Sequence, residues 1–134
     1  MNSFPSRVNT CEAVVVTCID FRFQRLFEWW LRKRIGQGTY DRIAWAGGVK
    51  DWVAVSRQIE VAKRLHDIKK VYLVNHEDCG AYGSEASFEQ HRFDLLQARD
   101  SLLMTYPDVE VRLFYAKLPN YKMPNLSVYL QKVR

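Results

Sequence analysis

Val71-Tyr-Leu-Val-Asn-His-Glu-Asp-Cys-Gly80 begins as a strand and ends as a site. Val71 to Val74 is β-branched and aromatic, which suits a buried strand, and His76 to Gly80 reads as a polar turn at its C-terminal end. His76 and Cys79 stand three apart, so both side chains can reach one ion from a single turn. Neutral imidazole and thiolate are the usual nitrogen and sulfur donors to zinc. On its own, His-x-x-Cys is a weak signal and reads first as a polar turn beside a buried thiol. A metal site needs a third donor from elsewhere in the chain.

Upstream, Glu12-Ala-Val-Val-Val-Thr17 has the length and composition of a strand buried on both faces, and it ends at Cys18-Ile-Asp-Phe-Arg22. A helical pattern starts at Phe21, with Phe23, Leu26, Phe27 and Trp30 on one stripe. Arg32 to Arg34 and then Gly36 close that helix. Trp29 falls off the stripe and hints at a partner surface. Tyr40 to Trp45 reads as a second strand ending in Ala46-Gly47-Gly48, where the glycines permit φ > 0 or a close backbone approach. A second helix is expected from about Lys50 to His66, with Trp52, Val55, Ile59 and Ala62 inward.

Downstream, Gly80 to Ser84 is a loop and Ser87 to about Thr105 a third helix, with Phe88, His91, Leu95 and Leu102 near one stripe. Asp108 to Tyr115 alternates as a fourth strand. Pro119 to Pro124 is a loop, and Leu126 to Val133 leaves room for a short C-terminal edge strand. The β-α-β-α-β-α-β order predicts a three-layer α/β/α fold with a mostly parallel central sheet of four strands, plus that edge strand.

Length and composition set bounds on this reading. A chain of 134 residues fits one domain, with residues 1–10 as a mobile leader. Hydrophobic content of 48% and charged content of 26% are those of a soluble globular protein. No apolar run has signal-peptide or membrane-span length, so a cytoplasmic address is expected and a membrane partner is not. Three cysteines without a secretory signal argue against a disulfide framework. The net charge of +5 raises nucleic acid as a partner. The basic residues are scattered, however, and Arg32 to Arg34 suit a helix C-terminus, so nucleic acid is set aside.

In open parallel sheets, sites form outside the carboxyl ends of the strands. Cys18, Ala46-Gly47-Gly48, and His76 with Cys79 all fall on that edge. Cys18, His76 and Cys79 can therefore form a Cys2His zinc site, with the fourth position left to water, as in catalytic rather than structural centres. Spacing alone makes Asp20 a helix N-cap and Arg22 a solvated first-turn residue. The functional alternative is an ion pair in which Arg22 holds the Asp20 carboxylate toward the open position. Cys11 reads as a small core or leader residue. His66 reads as a surface or dipole-pairing histidine, and His91 as structural unless it shuttles protons.

Cys18-x-Asp20-x-Arg22, Ala46-Gly47-Gly48 and His76-x-x-Cys79-Gly80 together resemble the β-class carbonic anhydrases, over roughly residues 12–83 by motif and beyond by element order. The resemblance implies one zinc per chain on Cys18, His76 and Cys79, and a catalytic dyad of Asp20 and Arg22. In that family Arg holds Asp away from zinc, and Asp becomes the fourth ligand when the pair breaks. The implied chemistry is reversible hydration of CO2 to bicarbonate by a zinc-bound hydroxide; Ala46, Gly47 and Gly48 are candidates to line its substrate pocket without side-chain bulk, and Phe21, Trp45 and Tyr82 candidates for its apolar walls. The implied assembly is a homodimer or higher homo-oligomer. This chain departs from the family in bulky Phe21 between Asp20 and Arg22, in Trp45 before the glycines, and in the expected lack of an N-terminal helical arm. Two further readings stand beside it: hydrolysis of carbon disulfide or carbonyl sulfide at the same centre, and a non-catalytic zinc-stabilised binding domain.

Overall fold

In a computed structural model, which describes residues 9–36, 39–119 and 129–134, five strands form one sheet in the order β2-β1-β3-β4-β5. These are β1 (Ala13–Thr17), β2 (Tyr40–Ala44), β3 (Lys70–His76), β4 (Glu110–Ala116) and β5 (Leu130–Lys132). The first four are parallel, and β5 pairs antiparallel with β4, Phe114 opposite Lys132. The fold is α/β and mostly parallel, as expected. Within the predicted edge strand only Leu130–Lys132 is extended and described. Residues 1–8 of the expected leader and residues 120–128, with most of the loop after Pro119, lie outside the described residues.

Helices α1 (Gln24–Arg34), α2 (Trp52–His66) and α3 (Phe88–Thr105) cover both faces. The pleat of β1 explains how. Val14 and Val16 face α2 and α3 through Val55, Ile59, Leu95 and Leu102. Ala13 and Val15 face α1 through Phe23, Leu26, Phe27, Trp30 and Leu31. A right-handed crossover from β1 to β2 puts α1 on one face, and the return from β2 to β3 puts α2 on the other. The winding reverses between β1 and β3, and the carboxyl ends of those two strands frame the crevice where such folds bind ligands. Trp29 is half-covered and packs against the α1 core.

Helix starts differ from the periodicity reading by a few residues, and side-chain caps explain each difference. Phe21–Phe23 is a 3-10 turn before α1, because the Asp20 carboxylate accepts the Arg22 N–H. Asp51 caps α2 by accepting the Ala54 N–H, and Ser87 caps α3 by accepting that of Gln90. β3 runs two residues past Val74, pairing Asn75 with Tyr115 and His76 with Ala116. That extension carries His76 to the end of a buried strand rather than into a solvated turn.

Candidate metal centre

Cys18 follows β1, His76 ends β3, and Cys79 lies in the turn after it. All three are buried, and their ligand atoms lie within 4.8 Å of one another. The imidazole is held on two sides. Phe23 lies over its ring at a centroid distance of 4.2 Å, and Nδ1 stands 2.7 Å from the Glu77 carbonyl oxygen. A carbonyl only accepts, so Nδ1 carries the proton and Nε2 presents a lone pair. That Nε2 is buried and has no hydrogen-bond partner among the described residues. An orphaned nitrogen beside two sulfurs is costly unless something binds there, and zinc matches this donor set.

The two thiols are unequal. Cys18 is held well below an ordinary thiol, first by the hydrogen bond from the Cys79 thiol and then, against burial, by the Gly47 N–H. Cys79 is pushed far up, first because it donates to Cys18 and then by burial. The pair shares one proton, and a cation at this point would take its place. Gly47 N–H donates to Cys18 Sγ at 3.3 Å, so the glycine turn serves the sulfur directly. Tyr82 packs behind both cysteines and is buried.

Arg22 grips Asp20 with Nη2 at 2.7 Å from Oδ2 and Nε at 3.1 Å from Oδ1. The guanidinium also reaches Asp78, donating to its carboxylate at 2.9 Å and its carbonyl at 2.8 Å. One fork thus joins the two turns that carry the cysteines. The arginine's hydrogen bonds hold the Asp20 carboxyl below the usual carboxylate range, against partial burial. Asp20 Oδ2 lies 3.9 Å from His76 Nε2, so the carboxylate faces the donor set. The same Asp20 side chain caps the 3-10 turn and pairs with Arg22.

An open cleft of about 630 Å³ leads to this point, with Ile19, Phe21, Ala46 and Ala81 among its lining. Of the residues expected to form a pocket, Phe21 and Ala46 line that cleft, and Phe21 is 85% exposed at its mouth. Gly47 is turned to the Cys18 sulfur. Gly48 is pressed against Asn75 and the Val74 carbonyl, and Trp45 donates its indole N–H to Asp51 at the start of α2. Two contributors escaped the sequence reading. Gln24 donates to the carbonyls of Cys18 and Asp20, pinning the first turn to α1. Asn75, a lone polar residue in an apolar strand, accepts the Val49 N–H and donates to Tyr82 and His91. That break in β3 was its one visible signal.

A family model described as "Putative carbonic anhydrase" matches residues 8–123. An uncharacterized protein of Rickettsia conorii is 26% identical over 133 residues, 84% of this chain and 71% of its own. Carbonic anhydrase from Streptococcus mutans superposes with a TM-score of 0.66 at 14% identity, over 93% of this chain and 84% of its own. A tetrameric β-carbonic anhydrase of Sordaria macrospora gives 0.61 at 11% identity, over 93% and 81%. The apo form of a carbon disulfide hydrolase gives 0.57 at 17% identity, over 94% and 80%. At these identities the solved structures share the fold.

Proposed function

The chain belongs to the β-carbonic-anhydrase-like family, and on that premise we propose that it is a zinc enzyme that hydrates CO2 reversibly to bicarbonate. Cys18, His76 and Cys79 would hold the ion, one per chain. Zinc, when bound, supplies a Lewis acid that brings the ionisation of water to about neutral pH. Arg22 keeps Asp20 ionised and fixed in direction. An ionised carboxylate only accepts hydrogen bonds, so a nucleophile whose O–H points at Asp20 turns its lone pair toward the CO2 carbon. The carbon-lined cleft suits a small apolar substrate. The observation that carries this reading is the Asp20 carboxylate, clamped by Arg22 and 3.9 Å from an orphaned histidine nitrogen.

Asp20→Asn tests it, because the amide keeps the size but presents donors where acceptors are needed. CO2 hydration should fall about 10²-fold or more with zinc content per chain unchanged. Unchanged turnover would remove Asp20 from the reaction. Loss of zinc would make it a structural support instead.

The aromatic and aliphatic lining, Phe21 and Ile19 above all, favours one alternative, hydrolysis of carbon disulfide or carbonyl sulfide by the same residues. A substrate panel on the same preparation separates the two. We also propose a homo-oligomer. Ile19 is 59% and Phe21 85% exposed at the mouth of the cleft, an arrangement that a second copy would cover. A cytoplasmic address suits three cysteines that are all free. Among the described residues, no helix is long and apolar enough to cross a membrane.

A further inference from the structure

The amino-terminal edge of the sheet, remote from the cleft, gathers a second set of mixed donors. Cys11 lies just before β1, and its N–H donates to the carbonyl of His66, the last residue of α2, at 3.1 Å. Asp41 is the second residue of β2, in register with Val14. His66 Nδ1 stands 2.6 Å from Asp41 Oδ2. The ligand atoms of Cys11, Asp41 and His66 all lie within 4.8 Å of one another. Each residue is half-buried, so the cluster is fixed by backbone on one side and open to water on the other. A His–Asp hydrogen bond alone is commonplace. A thiol facing the same carboxylate is not, and burial together with that carboxylate raises the thiol's pKa.

We propose that Cys11, Asp41 and His66 form a second divalent-metal site, for zinc or an ion of similar preference, separate from the centre in the cleft. Thiolate sulfur, imidazole nitrogen and carboxylate oxygen are each ordinary zinc donors, and together they select a borderline-soft ion over calcium or magnesium. Tetrahedral bonds of about 2.0–2.3 Å put donors roughly 3.3–3.8 Å apart, so His66 Nδ1 and Asp41 Oδ2, now 2.6 Å apart, must separate around the ion, a change that side-chain rotation at half-exposed residues can supply. The fourth position opens to solvent. Binding releases the Cys11 thiol proton to water, and the proton that His66 Nδ1 shares with Asp41 moves to Nε2. The ion would tie the start of β1, the start of β2 and the end of α2 together, three elements joined at this edge by the Cys11–His66 and Glu12–Thr39 backbone hydrogen bonds.

The test is a Co2+ titration of the reduced, metal-free full chain against a competing chelator, counting equivalents and following the thiolate-to-cobalt absorbance. Wild type should take up two equivalents. Cys11→Ser and His66→Gln should each take up one, and Cys18→Ser should keep one that still shows the thiolate band. Saturation of wild type at one equivalent overturns the proposal, as does a second equivalent that survives both Cys11→Ser and His66→Gln. If Cys18→Ser does not fold, wild type against Cys11→Ser decides alone, since Cys11 lies outside the cleft and its loss leaves that centre intact.

Discussion

Asn75 sets the protonation of a residue 16 positions further on. Its Oδ1 accepts the Val49 N–H, so its amide nitrogen must face Tyr82 and His91, and His91 Nδ1 must accept. A proton on that nitrogen would set donor against donor. Burial first, and then the nearby His76, lower the His91 pKa to about 4. His91 is 0% exposed, so it folds neutral, whereas an unfolded histidine titrates near 6.5. The unfolded chain therefore binds the extra proton between those values, and stability contributed above pH 6.5 is lost as pH falls toward 4. Over that window, unfolding free energy should drop more steeply for wild type than for His91→Gln, by up to about 3 kcal/mol. Parallel curves would mean that His91 does not titrate with folding. His91 is thus a buried histidine held by Asn75 beside the site.

The turn after β2 is the element whose role differs most from its expected one. Gly47 (φ +83°) and Gly48 (φ +62°) occupy left-handed conformations that favour glycine. A Cβ on Gly48 would also overlap Asn75 Oδ1, so the close approach there is to strand β3 rather than to a substrate. Gly48→Ala should cost about 2 kcal/mol or more in urea unfolding and lower metal affinity, because the Gly47 N–H would leave the Cys18 sulfur. Unchanged stability would refute that placement. Strands and helices were legible because their periods are local: the stripe Phe23, Leu26, Phe27, Trp30 and the uninterrupted Ala13–Val16 each have one good burial solution. The cluster of Cys18, His76 and Cys79 was legible because parallel topology gathers strand ends. What stayed hidden was set by partners distant in sequence. Nothing near Arg22 announces Asp78, 56 residues on, and nothing near Tyr82 says that its ring backs the sulfurs while its hydroxyl serves Asp94. His66 looked like a helix-end histidine until β2 brought Asp41 beside it.

At the scale of the molecule, one sheet separates two chemistries. Its carboxyl edge, at the reversal between β1 and β3, carries Cys18, His76 and Cys79 with the Asp20–Arg22 pair and an apolar cleft. Its amino edge carries Cys11, Asp41 and His66. Exposed i,i+4 pairs such as Glu28–Arg32 and Glu60–Arg64 cancel charge locally, each worth about 0.3–0.5 kcal/mol. These surface pairs therefore do little to build the fold, in contrast to the Arg22 fork at the cleft. Stopped-flow CO2 hydration by zinc-loaded protein between about pH 7 and 9 tests whether the cleft performs the proposed metal-assisted hydration. A rate well above buffer that rises with pH is the predicted result. A flat rate at the buffer background across that range, from protein carrying its full zinc, would contradict it.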